Sequence, residues 1–254
     1  MAGKSEIIYG IHAVRHALQQ RPESILEIWL QDGKHGGHEI EQIIRLSGNV
    51  PLNIQYVPRS TLERLAGNSV HQGVVVRCRG ENAGLPTDLA AVLALTEERP
   101  RFFLVLDGIQ DPHNLGACLR TANAAGVDAV ILPKDRAVAI TPVVRKVASG
   151  AAETTPVITV TNISRSLREL QDAGVWIVGT DDQAEKSIYD LDLSMSLALV
   201  LGAEGQGLRS NTQNHCDYLV NLPMQGTVES LNVSVAAGIC LYEVVRQRKF
   251  RSGK

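Results

Sequence analysis

From residue 102 onward, short apolar runs alternate with stretches of helical spacing. Phe102-Phe103-Leu104-Val105-Leu106 ends at Asp107-Gly108, and Ala129–Leu132, Val157–Val160, Val175–Gly179, Leu197–Leu201 and Tyr218–Leu222 continue the rhythm. Runs of this length and β-branched content read as strands buried on both faces. Between them the spacing predicts a helix capped by Asn114 that carries Leu115, Leu119 and Ala122. Another helix starts at Thr141-Pro142 as N-cap and first turn, and others cover Ile163–Ala173, Gly205–Cys216 and Leu231–Arg248. The pattern predicts an α/β domain with a mostly parallel sheet covered on both faces.

Residues 1–80 have a weaker α/β alternation. Ile25–Leu30, Ile54–Val57 and Gln72–Arg77 read as strands, and Ile11–Leu18 and Ile40–Leu46 as helices, giving a small α/β sandwich. Between the two parts, residues 81–100 read as a linker. It opens with Gly80-Glu81-Asn82-Ala83-Gly84-Leu85-Pro86, contains a short apolar segment from Asp88 (an N-cap) to Leu95, and closes at Arg99-Pro100. Two domains are expected, 1–80 and 101–254, able to move relative to one another.

Charge divides along the same line. The chain of 254 residues has a formal charge of −2. Residues 1–80 carry nine Lys/Arg against seven Asp/Glu, whereas 81–100 carry one against four. A nucleic-acid partner would therefore be held by local patches and shape rather than by a global field. The C-terminal cations Arg246, Arg248, Lys249 and Arg251 suit either RNA contact or a solvated helix end. Cys78, Cys118, Cys216 and Cys240 lack metal or redox spacing and read as reduced, buried small hydrophobes. His35-Gly36-Gly37-His38 has no further ligand nearby, so no metal site is expected. No run reaches membrane-spanning length, and no signal peptide is apparent; a soluble cytoplasmic protein is expected.

The chemistry gathers between residues 202 and 236. The loop Gly202-Ala203-Glu204-Gly205-Gln206-Gly207 follows an apolar strand, and its glycines imply that a ligand or another backbone passes close by. A dinucleotide site is disfavoured, because the carboxylate of Glu204 would repel pyrophosphate and the glycine spacing runs opposite to the dinucleotide fingerprint. An adenosine-like ligand without phosphates fits better. Pro223-Met224-Gln225-Gly226 and Ser230-Leu231-Asn232-Val233-Ser234-Val235-Ala236 follow.

Together with Asn114-Leu115-Gly116-Ala117-Cys118-Leu119-Arg120, these segments resemble the three motifs of the SpoU branch of the SPOUT RNA methyltransferases. The resemblance extends through Tyr9-Gly10-Ile11-His12-Ala13-Val14 and Val70-His71-Gln72-Gly73, and so spans nearly the whole chain. It implies an L30e-like N-terminal RNA-binding domain, a SPOUT domain with a C-terminal trefoil knot, and a homodimer. It implies S-adenosylmethionine as cofactor, with Leu222, Met224 and Leu231 around the adenine and Thr180, Gly202 and Gly226 bonding its edge and ribose. Arg120, Glu204, Ser230 and Asn232 become the catalytic residues, supported by Asn114. A guanidinium stays protonated, so an electrostatic hold on phosphate is the physically easier role for Arg120. Within the family the match is best to enzymes that methylate a guanosine ribose in the peptidyl-transferase region of 23S rRNA. Related enzymes acting on tRNA or another rRNA site, and a non-catalytic RNA-binding or ribosome-assembly factor, are the alternatives. Arg59, His71 and Gln72 flank the expected N-terminal strands and are the candidate RNA contacts.

Overall fold

The computed structural model of the chain describes residues 5–20, 22–33, 37–48, 53–67, 70–79, 85–95, 98–203, 205 and 207–251. It divides into two compact units, Met1–Leu85 with Ile140–Thr154, and Pro86–Ala139 with Thr155–Lys254.

The first unit begins with β1 (Ser5–Tyr9), α1 (Ile11–Gln20), β2 (Ile25–Gln31) and α2 (His38–Ser47). β3 (Ile54–Val57), α3 (Arg59–Leu65) and β4 (Val74–Arg79) follow. The strands form one sheet in the order β1-β4-β2-β3, with β4 antiparallel to both β1 and β2, and β3 parallel to β2. Successive strand residues face opposite sides. Ile8, Ile28 and Val74 therefore pack with Val14, Leu18, Ile40 and Ile43 of α1 and α2, while their neighbours Tyr9, Trp29 and Val75 pack with Leu62 and Ala66 at α3. The result has three layers. β1 and α3 were not expected from sequence, and the third expected strand starts two residues late because Gln72 and Gly73 turn with φ of 55° and 89°.

The second unit starts at α4 (Leu89–Leu93), capped by Asp88, whose carboxylate accepts from the Ala91 N–H. Leu89 and Val92 are buried against Phe103 and Val105. This corrects the expected linker, since its second half is core, pulled in by its own apolar residues; residues 80–84 lie outside the described residues. β5 (Phe102–Asp107), α5 (Pro112–Ala124) and β6 (Ala129–Pro133) come next. After α6 (Pro142–Ala148) the chain continues with β7 (Val157–Val160), α7 (Ile163–Asp172), β8 (Trp176–Thr180) and β9 (Leu197–Gly202). α8 (Ser210–Gln213), β10 (Tyr218–Val220) and α9 (Val233–Arg251) complete it. The helix expected over 205–216 is reduced to the four residues of α8, because Gly207 is held in a bridge to Ala203 ahead of it.

The six strands are all parallel, in the order β10-β8-β9-β5-β6-β7. β5 and β9 are central, and every residue of β5 is buried, as a continuous apolar run requires. The chain leaves β5 toward one edge and returns to fill the other, so the switch point falls between β5 and β9. Their register pairs Asp107 with Gly202 at the carboxyl ends. Parallel sheets bind ligands at such a crevice.

α6 is the exception. With the 3₁₀ turn Ala151–Glu153 it belongs to the first unit, although it stands between β6 and β7 in sequence. Thr141 caps it as expected, accepting from the Val144 N–H. Arg145 is buried and ion-paired to both Glu6 and Glu153. The expected placement of 140–154 with the C-terminal domain is therefore corrected: a buried guanidinium must be paired, and one of its carboxylates sits on β1.

Candidate active site

A Cβ on Gly202 would lie 2.1 Å from both C and O of Gly207, and 2.4 Å from the Leu208 nitrogen. No real side chain tolerates that distance, so the end of β9 admits only glycine. The chain folds back over it, closed by the Gly207 N–H donating to the Ala203 carbonyl at 3.0 Å. The close backbone approach expected at this loop is present. Glu204 lies outside the described residues.

Below this loop, at the carboxyl ends of β8, β9 and β10, is a cavity of about 330 Å³. Thr180, Gly202, Leu222, Met224 and Leu231 line it, as does Ser230. Gly226 is exposed and not among its lining residues. Among the described residues the charged side chains lining it are Asp181, Asp182 and Glu229, with no Lys, Arg or His. Such a cavity repels phosphate and favours a cationic ligand with an apolar body. Gln213 donates to Asp181 at 2.9 Å and so fixes one wall.

A second cavity, about 260 Å³, opens beside the first and shares Ala203 and Val233 with it. Gly108, Ile109, Gln110, Asp111 and Asn114 complete its wall. The N-cap of α5 is Asp111, which accepts from the His113 N–H and is followed by Pro112. Asn114 is thus inside the first turn and buried, not the cap that was expected. Its Oδ1 accepts from Asn232 Nδ2 at 3.0 Å. Asn232 Oδ1 in turn accepts from the Ser234 N–H and Oγ at 3.0 and 2.6 Å, which fastens the start of α9. Two motifs 118 positions apart therefore meet through one amide pair, of which Asn114 lines the second cavity.

Comparison with known proteins decides the family. Residues 101–242 match the model of the SpoU rRNA Methylase family, and residues 7–83 match RNA 2'-O ribose methyltransferase substrate binding. The chain belongs to the SpoU rRNA methylase family. It is 49% identical over 246 residues to 23S rRNA (guanosine-2'-O-)-methyltransferase RlmB of Shewanella oneidensis, covering 97% of this chain and 99% of that one. The protein of the same name from Coxiella burnetii is 50% identical over 249 residues, covering 97% of each. Among solved structures, an RNA 2'-O ribose methyltransferase is similar with TM-score 0.78 and 28% identity, covering 97% of this chain and 90% of that one. The fold is also that of the SpoU methyltransferase AviRb from Streptomyces viridochromogenes in complex with AdoMet, with TM-score 0.80 at 23% identity, covering 96% and 91%.

Some family motif residues do not converge in a single chain. Arg120 is exposed on α5 and lines neither cavity; six residues after Asn114, it points from a different helix face. In the substrate-binding unit, Arg59 is exposed and bonds Glu63 one turn on at 2.8 Å. His71 is 5% exposed and its Nδ1 faces the Gly73 N–H at 3.1 Å. Gln72 Oε1 accepts from the Ile11 N–H at 3.1 Å, at the start of α1. Both shape a turn, in which His71 is buried and Gln72 is exposed. The C-terminal cations are also partly engaged. Arg246 pairs with Glu243, and Arg248 donates to the carbonyls of Pro100, Arg101 and Met195 while lying over the Phe102 ring.

Cys78, Cys118 and Cys240 are buried and Cys216 partly so; none is in a disulfide. Burial pushes the Cys216 and Cys240 thiols up to about 12, so neither offers a thiolate. Among the described residues no group of three His, Cys, Asp or Glu could hold a metal; His35 lies outside them. No described helix is long and apolar enough to cross a membrane. Sequence reasoning passed over Asp107, Arg209 and Thr212, which meet beneath the second cavity. Asp107 at the end of an apolar strand was the available signal.

Proposed function

We propose that this chain transfers a methyl group from S-adenosylmethionine to the ribose 2'-oxygen of a guanosine in 23S rRNA, in the peptidyl-transferase region. The observation that carries this is the pair of adjoining cavities: one part apolar, acid-rimmed and free of cations among the described residues, the other lined by Asn114, which Asn232 bonds. The first suits a sulfonium ligand without phosphate. Leu222, Met224 and Leu231 would hold its adenine, Thr180 and Gly202 its polar edges, and the bound cofactor supplies an electrophilic methyl group. The second would receive the acceptor ribose. Holding two reactants at a shared wall supplies much of the rate by orientation alone. Ser230 and Asn232 would then position the groups, and Arg120 would hold a flanking phosphate. Glu204 and Gly226 belong to this reading through their motifs.

The same reading takes the first unit as an L30e-like RNA-binding domain, supported by its three layers and by its family match. Residues 81–100, whose second half packs into the core of the second unit, would join it to a catalytic domain with a C-terminal knot, a topology supported by the backbone crossing at Gly202. A homodimer is supported by α9, where Val235, Ile239 and Tyr242 form one stripe of i, i+4, i+7 spacing; Val235 and Tyr242 are about half exposed. Arg120 on the exposed face of α5, which packs against α9, fits a site completed at that interface. The working compartment is the cytoplasm.

Mapping ribose methylation in 23S rRNA from cells with and without the gene tests the activity. Loss of one guanosine methylation is the expected result. Unchanged 23S rRNA with a lost tRNA methylation would move the substrate, and no change in any RNA would remove the enzymatic reading. Calorimetry should show saturable S-adenosylmethionine binding and none for NAD. Arg120→Lys should be severely slow if the bidentate fork matters and mild if charge alone does.

A further inference from the structure

Asp107 is wholly buried at the carboxyl end of β5. Its Oδ2 accepts from Thr212 Oγ1 at 2.7 Å, but Oδ1 has no hydrogen-bond partner. The nearest cation is Arg209, whose Nη1 stands 3.5 Å from Oδ1, beyond a good charge-assisted hydrogen bond. This ion pair is the polar side-chain interaction of Arg209 among the described residues. The guanidinium is also 45% exposed. Its Nη2 lies 3.2 Å from where a Cβ on Gly108 would be, and the Ala203 methyl is 3.8 Å from the same point. Gly108 and Ala203 both line the second cavity. Among the described residues, a guanidinium with donors to spare, tethered by charge to a buried carboxylate, therefore stands beside Gly108 of the cavity that would admit the acceptor ribose.

The two cavities also differ in sign. Among the described residues the first is lined by three carboxylates and no cation, whereas the second is lined by one carboxylate, Asp111, and has Arg209 beside its Gly108; the backbone of Arg136 passes 3.8 Å from the same Gly108 position. Of the two cavities, it is the second that has a cation beside it to meet an entering phosphodiester.

We infer that Arg209 binds a backbone phosphate of the RNA next to the acceptor nucleotide, and that Asp107 is the positioning residue that aims it. The inference rests on the function proposed above and adds a substrate contact outside the three motif segments. Asp107 supplies direction without consuming the fork, so donors remain for bidentate phosphate recognition. Thr212 and Gln213, adjacent in α8, bond Asp107 and Asp181 respectively, so one short segment braces a wall of the first cavity and the carboxylate next to Gly108 of the second.

The test uses the full chain, a protein-free 23S rRNA transcript and S-adenosylmethionine, with RNA binding also measured without cofactor across a salt series. Arg209→Gln should weaken RNA binding and raise KM for RNA by about tenfold, and lower the salt slope by about one phosphate contact. kcat and cofactor affinity should stay within about twofold. Arg209→Lys should restore part of the affinity. Arg165→Gln, which removes an exposed charge paired with Glu169 on α7, should leave the slope unchanged. Because Arg209→Gln leaves Asp107 buried without its cation, the double variant Asp107→Asn/Arg209→Gln separates folding from recognition. If Arg209 touches phosphate, the double variant recovers thermal stability but keeps the weak RNA binding. Recovery of wild-type RNA binding in the double variant, or an unchanged salt slope in Arg209→Gln, overturns the inference. A wild-type chain that binds the transcript with this slope yet transfers no methyl group would instead count against the enzymatic reading.

Discussion

At Gly202 the demand for glycine is steric rather than conformational. A methyl group there would collide with the Gly207 carbonyl, which is backbone and has nowhere to retreat. Gly202→Ala should therefore lose saturable S-adenosylmethionine binding by calorimetry and melt at lower temperature; normal binding would show that the returning chain is free to move. Asn232 is used twice, accepting with Oδ1 from Ser234 and donating with Nδ2 to Asn114. Asn232→Asp keeps the acceptor and loses the donor. It should melt close to wild type while methyl transfer falls by orders of magnitude. Asn232→Ala should also lose the helix-capping contribution of about 1 kcal/mol. Equal melting temperatures for the two variants would argue against the cap. Such dual use was hidden in the sequence. Asn232 could be read as a cap or as a catalytic residue, and nothing in its neighbours shows that it is both.

Between elements, legibility followed the range of the interaction. β5 and β9 could be read because a sheet covered on both faces demands uninterrupted apolar runs, and Thr141-Pro142 because a cap is satisfied within three residues. Asp111-Pro112 carries the same signal, and weighting Asn114 above it misplaced the helix start by three residues. Gln72 is an exposed turn residue, and its second role shows only when the N–H of Ile11, 61 positions away, arrives to be capped. Arg248 is another long-range case. It reads as a tail cation, yet it gathers three carbonyls from the strand-entry segments, and burial lowers its pKa to about 10. Arg248→Ala should cost about 2 kcal/mol or more in denaturant unfolding, since each charged hydrogen bond contributes at that scale. RNA affinity should not change; a variant that unfolds normally but binds RNA poorly would return Arg248 to the RNA surface.

For the whole molecule, the decisive fact is that Ile140–Thr154 belongs to the first unit. A fragment beginning near Arg99 would keep Arg145 and Glu153 but lose Glu6, and would uncover the face of α6 that packs on β1 and α1. It should aggregate or melt well below the full chain in a thermal scan, and a well-behaved fragment of native stability would refute that. Acid should loosen the same region. The His16 ring packs where a Cβ on Gly150 would sit, 2.5 Å from Cδ2. Burial lowers its pKa from 6.5, and Arg15 adds to the effect. A depressed histidine pKa means the fold prefers the neutral ring. Its stabilising effect is present above pH 6.5 and is lost as pH falls toward the lowered value. His16→Gln should flatten the drop in melting temperature between pH 7.5 and 5.5; an unchanged drop would assign the acid sensitivity to other groups.

The split first unit also sets a timetable for synthesis. When residue 85 has emerged from the ribosome the four strands of the first sheet are complete, yet Glu6 still awaits the guanidinium of Arg145. The closing segment ends at Thr154, 69 residues later, which at about 5–20 residues per second is an interval of about 3 to 14 s. Throughout it, β5 and β6 are being made while the earlier unit is unfinished. The nascent chain must therefore hold two incomplete halves at once, and any chaperone that attends it has its longest opportunity between those two residues.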